Sequence, residues 1–176
     1  MFNLNLTPAT EKFVTWWGEV GSRWGVNRTV AQVHALFYLS QEPLNAEDIA
    51  SSLSFSRSNV GSSLRELETW GLITPVYFRG DRKHYYEAIK DPWQMFRVIL
   101  DERKRREINP TVATLRGCLE ELEDASPAEE YARGQLRAAL EFFEVMIPLY
   151  DEVRRVSPGS IRNIAKLTAK VREVVG

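Results

Sequence analysis

Cysteine and histidine are nearly missing from this 176-residue chain: Cys118 stands alone, and His34 and His84 are the whole histidine complement. A lone cysteine excludes an intramolecular disulfide, and three such scattered residues do not make a zinc set. Cys118 therefore reads as a structural thiol, since no neighbour in sequence would hold it as a thiolate. The same shortage leaves no nucleophile–base pair, and there is no glycine-rich phosphate loop, so neither an enzyme nor a bound metal or cofactor is expected. No stretch reaches the roughly 18 apolar residues that span a bilayer. The opening Met-Phe-Asn-Leu-Asn-Leu has no basic stretch ahead of a long apolar run, so no membrane partner is expected and a reducing, cytoplasmic setting is.

What is present is an ordinary globular balance, 44% hydrophobic and 27% charged, enough for one domain or one compact lobe with a helical extension. The net charge of −1 conceals a strong asymmetry. Residues 57–106 hold eleven Lys/Arg against seven Asp/Glu, whereas residues 107–153 hold three against eleven. A basic segment followed by an acidic one is expected when one part of a chain faces phosphate and another does not.

Periodicity divides the chain into mainly helical elements around a small β-hairpin. Phe13, Trp17, Val20 and Trp24 share one face of a first helix that begins after Thr7-Pro8, stops near Gly25 and buries that face. A second helix starts at the cap Asn27 and carries Val30, Val33, Leu36, Phe37 and Leu39 to the break at Pro43. Two short helices follow, one capped by Asn45 with Ile49, Ala50 and Leu53 inside, the other capped by Ser56 with Val60, Leu64 and Leu67 inside, ending at Gly71. The period then changes, and residues 72–78 and 84–89 read as two strands flanking Arg79-Gly80-Asp81-Arg82, with Pro75 marking an edge strand.

From Asp91-Pro92 onward the pattern is helical, with a kink or restart expected at Asn109-Pro110. Two seams at 4-3-4-3 spacing follow: Ile108, Val112, Leu115, Leu119 and Leu122, then Leu136, Leu140, Phe143, Ile147 and Tyr150. They suit an antiparallel hairpin, a dimeric coiled-coil-like bundle, or both together. A last short helix is expected from Ser160 to Val175. The division expected is a winged helix-turn-helix lobe at 1–90 and a helical dimerisation region at 91–176.

Helix, helix, turn, helix and a hairpin with a basic tip is the order of a winged helix-turn-helix, and each part has a use on double-stranded DNA. With Val60, Leu64 and Leu67 inward, the fourth helix turns Ser58, Ser62 and Arg65 outward, flanked by Ser56, Arg57, Asn59, Gly61 and Ser63. Small side chains let a helix enter the major groove deeply; Asn59 suits adenine, and Arg57 or Arg65 reaches guanine or phosphate. At the hairpin tip, Arg79, Arg82 and Lys83 suit the minor groove, with Asp81 placed to orient a neighbouring arginine. A winged helix used only for protein contacts is the alternative, and it would favour an acidic or apolar face.

The runs Ser56-Arg57-Ser58-Asn59-Val60-Gly61-Ser62-Ser63-Leu64-Arg65-Glu66-Leu67-Glu68-Thr69-Trp70-Gly71-Leu72-Ile73, Gly80-Asp81-Arg82-Lys83 and Asp91-Pro92-Trp93-Gln94-Met95-Phe96-Arg97 resemble the GbsR-like branch of the MarR superfamily of transcriptional regulators. The resemblance extends over about residues 7–122. It implies a homodimeric regulator, usually a repressor, on a pseudo-palindromic operator, with some relatives answering to a small effector such as the osmoprotectant choline. Residues after Ser126 match no motif of the branch.

Two further features are left over. Of the five tryptophans, Trp17 and Trp24 have a core role on the first helix, which leaves Trp16, Trp70 and Trp93 as candidates for a cage around a quaternary ammonium effector. The run Arg103-Lys104-Arg105-Arg106 reads first as a solvated or intersubunit ion-pair face and second as a phosphate contact.

Overall fold

The computed structural model describes residues 6–123, 126–156 and 159–160, and its contacts divide the chain into two units, Met1–Ile99 and Leu100–Gly176. The final helix expected from Ser160 to Val175 lies outside the described residues, except for Ser160.

In the first unit, α1 (Pro8–Arg23) starts on Thr7, whose hydroxyl accepts from the Thr10 N–H, and ends before Gly25 at φ +77°. Its buried line is Val14 and Gly18, one position away from the aromatic line expected. Phe13, Trp17 and Val20 are half-buried, while Trp24 is 63% exposed and has no core role. The reason lies in two glycines facing α2 (Arg28–Leu39). A Cβ on Gly18 would come 2.6 Å from Gln32 Cγ, and one on Gly21 would come 2.5 Å from Ala31 Cβ. Side chains of α2 therefore pack directly onto the α1 backbone at these glycines, and the large rings are left at the margins.

Asn27 caps α2 through the Thr29 N–H at 2.8 Å, as expected. The C-terminal carbonyls of α2 are met from a distance in sequence: the Lys90 ammonium donates to the carbonyls of Phe37 and Ser40. A cation at that end also complements the helix dipole.

Next come a short strand, β1 (Leu44–Asn45), and α3 (Ala46–Leu53). Asn45 and Asp48 form a capping box: Asn45 Oδ1 accepts from the Glu47 and Asp48 N–H groups, and Asp48 Oδ2 accepts from the Asn45 N–H. Ser54, at φ +54°, turns the chain sharply into α4 (Arg57–Thr69). Helix α4 ends in a Schellman arrangement, with Gly71 at φ +72° and the N–H of buried Leu72 donating to the Leu67 carbonyl at 2.9 Å.

Strands β2 (Ile73–Val76) and β3 (Tyr85–Ala88) pair antiparallel, with Pro75 opposite Tyr86 on the edge strand. The expected two-stranded hairpin is in fact a three-stranded sheet in the order β1-β3-β2, because Leu44 and Asn45 pair with Tyr86 and Tyr85. Two residues carry no readable alternation, so nothing in the sequence announced β1. The core joins Val33, Leu36 and Phe37 of α2 with Leu44, Ile49, Val60, Leu64, Leu67, Leu72 and Ile73.

Helix α5 (Pro92–Arg103) opens on the Asp91 carboxylate, which accepts from the Trp93 N–H at 2.7 Å. In the second unit a π-helical turn, Lys104–Ile108, leads into α6 (Asn109–Glu121). The kink or restart expected at Asn109-Pro110 takes the form of this π turn, after which α6 begins at Asn109. Pro110 lacks an N–H and its ring crowds the carbonyl four residues back, and the wider π turn, with Asn109 N–H donating to Lys104 O, makes the room. Helix α7 (Glu130–Arg155) packs antiparallel on α6, as shown by Lys104–Asp151, Arg116–Glu144 and the Arg133 contact to the Glu123 carbonyl. Val112 is buried in that seam, and Leu115, Leu119, Leu136, Leu140, Phe143 and Ile147 are half-buried.

Candidate nucleic-acid interface

Helix α4 presents the surface its sequence suggests, with one exception. Val60, Leu64 and Leu67 are buried, and Arg57, Ser58, Asn59, Ser62 and Arg65 are exposed. Ser63 does not belong with them: it is 2% exposed, and its hydroxyl donates to the Asn59 carbonyl at 2.9 Å. It lies next to Leu64 on the inward side, where a small side chain closes its own polar atom on the helix backbone. Ser56 is exposed, but its hydroxyl is already used as the cap, accepting from the Asn59 N–H at 3.2 Å. Arg65 donates to the Ser62 hydroxyl at 3.1 Å, so these two side chains act as one polar unit.

The wing tip runs from Tyr77 to His84, with Gly80 at φ +86°. Arg79 and Arg82 are exposed, and neither has an ion-pair partner among the described residues. Asp81 does not orient an arginine. Its carboxylate accepts from the Lys83 N–H and the Tyr85 hydroxyl, both at 2.9 Å, and these bonds hold its pKa below the ordinary carboxylate value. Asp81 thus braces the wing turn itself.

Lys83 is engaged elsewhere: its ammonium donates to Glu47 on α3 at 2.7 Å, and Arg57 lies 3.6 Å from the same carboxylate. The hydrogen bond and charge of Lys83, with Arg57 adding, lower the Glu47 pKa, and Glu47 raises that of Lys83. Glu47 carries no motif, and its partner is 36 positions away, so sequence reasoning missed it. The exposed rings of Tyr77 and Phe78 were missed as well. Phe78 stands edge-on to Tyr85 at 5.0 Å, and Tyr77 edge-on to His84 at 6.5 Å.

The basic run after the wing resolves as an ion-paired face. Arg105 and Arg106 both meet buried Glu102 at 2.5 Å, Lys104 meets Asp151 at 2.6 Å, and Arg103 lies 3.4 Å from Glu107. Nearby Tyr150 has its pKa pushed up to about 12, by burial first and then by Asp101.

The three candidate cage tryptophans lie on three elements. Trp16 sits on an open surface of α1 beside Pro8, Glu11, Lys12, Thr15 and Glu19, with Phe13 and Trp17 as ring neighbours. Trp70 ends α4 against the core, and Trp93 is exposed in the first turn of α5; neither lines the Trp16 surface. Among the described residues no group of three or more His, Cys, Asp or Glu is placed to hold a metal, and no helix is long and apolar enough to cross a membrane.

Comparison with known proteins bears on this surface. Residues 24–84, from the end of α1 through the wing tip, match the model described as the MarR family. The HTH-type transcriptional repressor GbsR of Bacillus subtilis (strain 168) is 20% identical over 137 residues, covering 76% of each chain. A crystal structure described as a transcriptional regulator superposes with a TM-score of 0.68 at 21% identity, over 84% of this chain and 96% of that one.

Proposed function

We propose that this chain, which matches the MarR family model over residues 24–84 and is similar to GbsR, is a GbsR-like member of the MarR superfamily and a sequence-specific DNA-binding transcriptional regulator. The observation that carries this reading is the outer face of α4. Small hydroxyls at Ser58 and Ser62 leave room for close approach to base edges, Asn59 offers the donor–acceptor pair that suits adenine, and Arg57 and Arg65 flank them with charge. The wing adds Arg79 and Arg82, exposed cations on a protruding turn, suited to phosphate and to a narrow minor groove.

In this reading residues 1–90 bind DNA and residues 91–176 form a homodimer, so that two α4 helices meet the half-sites of a pseudo-palindromic operator. Support comes from α7, whose face away from the α6 seam leaves Phe142, Val145, Met146, Leu149 and Val153 exposed. A helix apolar on two sides needs a second partner, and a second copy of α7 supplies one. Action as a repressor follows the named likeness to GbsR.

Mobility shifts against genomic duplex fragments at rising salt test the function directly. A regulator of this kind selects one fragment and loses affinity steeply with salt. Salt-insensitive or fragment-blind behaviour, with tight binding of a protein partner instead, makes the winged helix a protein-interaction module. A small effector is tested by tryptophan fluorescence on titration with choline and related osmolytes, read together with DNA affinity. Substituting Trp16, Trp70 and Trp93 one at a time identifies which ring reports.

A further inference from the structure

One carboxylate bridges three elements of the first unit. Glu47, in the first turn of α3, accepts from Lys83 of the wing and faces Arg57 at the start of α4. The side chains of Glu47, Lys83 and Arg57 are 49%, 51% and 82% exposed. At such exposure water screens an ion pair, so the bridge adds little to stability. The elements it touches are also held without it: Asp81 braces the wing turn, the Asn45–Asp48 box opens α3, and Ser56 caps α4. Its main consequence falls on an approaching anion, because a negative charge occupies two of the cations on the surface that faces phosphate.

We propose that Glu47 is a specificity-determining residue, an exchangeable carboxylate that occupies Lys83 and Arg57 until a duplex phosphate displaces it. This inference rests on the DNA-binding reading above. Sequence-independent affinity grows with the number of phosphates neutralised, so occupying two cations reduces it. Contacts to base edges by Asn59 and Arg65, which Glu47 does not touch, keep their value, and the ratio of specific to non-specific binding rises.

The full chain carrying Glu47→Gln tests this, with Lys83→Ala made in both backgrounds and binding to random-sequence and preferred duplexes followed across a salt series. Glu47→Gln is expected to tighten random-sequence binding roughly threefold for each cation released, to steepen the salt slope by about one to two phosphate contacts, and to narrow the specificity ratio. Lys83→Ala is expected to reverse most of the gain in the Gln background and to weaken the wild type by a smaller factor, since there the gain from the phosphate is offset by displacing Glu47. Thermal melting close to that of the wild type assigns the change to binding rather than to folding. Unchanged or weaker binding by folded Glu47→Gln with the wild-type slope overturns the proposal, and so does a gain that survives removal of both Lys83 and Arg57. Absence of salt-dependent duplex binding by the wild type overturns the DNA-binding reading and this inference together, whereas normal wild-type binding with an inert Glu47→Gln removes only the role of Glu47.

Discussion

The Ser63 hydroxyl donates to the Asn59 carbonyl at 2.9 Å, one turn back along α4, and this bond separates two serines that the sequence sets side by side. Ser62 is exposed and paired to Arg65, whereas Ser63 is buried beside Leu64. The same substitution at the two positions therefore has different outcomes. If α4 enters the groove as proposed, Ser62→Glu is expected to leave a folded protein that no longer binds its preferred duplex, because a longer anionic side chain then meets the phosphate-lined groove. Ser63→Glu places a carboxylate in the core and lowers thermal stability by several kcal/mol. Asn59→Ala, on the exposed side, costs about 1–3 kcal/mol at the preferred site and little on random duplex. Melting and binding measured on the three variants check the assignment, and equal stability of the two glutamate variants contradicts the burial of Ser63.

Arg82 belongs to the wing tip and has no ion-pair partner among the described residues. Arg82→Ala is expected to weaken binding across all sequences and to reduce the salt slope by about one phosphate contact. An unchanged slope with an intact fold places the wing off the DNA.

His34 is buried under Trp17, with ring centroids 6.3 Å apart, and its Nε2 has no hydrogen-bond partner among the described residues. Burial, with the charge of Lys90 adding, lowers its pKa from 6.5 to about 4. The folded state thus prefers the neutral ring. This preference is fully effective above pH 6.5 and is lost as the pH falls from there to about 4, for a total of about 3 kcal/mol. Between pH 6.5 and 5 most carboxylates remain ionised, so melting in that window isolates the histidine. The wild type is expected to lose stability there and His34→Leu to stay nearly level; parallel profiles assign the slope to other groups.

The exposed apolar face of α7 sets the oligomeric expectation. Sedimentation at micromolar concentration should give about twice the 20.2 kDa chain mass. Val145→Glu or Leu149→Glu should shift the species towards monomer, while the α6–α7 seam, built from other positions, stays folded. A wild type that sediments as a monomer removes the dimer from the proposal.

Much of this architecture was legible because its determinants are local. Thr7, Asn27, Asn45, Ser56 and Asp91 each accept from an N–H two or three residues ahead, so a cap is visible within one turn of sequence. The inward trio Val60, Leu64 and Leu67 and the α6–α7 seams follow from period alone, and the edge position of Pro75 from its missing N–H. Where local rules failed, a neighbour distant in sequence had prevailed. The aromatic line of α1 gave way to Val14 and Gly18 because α2 comes too close for rings.

By itself the sequence determined the helices, their caps, the wing turn at Gly80 and the polar character of α4, all of which depend on hydrogen bonds and side-chain spacing within a few residues. Only the tertiary structure decided that Leu44 and Asn45 would join the sheet, that Lys90 would close the end of α2, and that Glu47 would occupy Lys83 and Arg57. These relationships join groups far apart along the chain, and a contact of that kind exists only after the core has brought its partners together. Composition and periodicity set which side chains are available; packing chooses which of them meet.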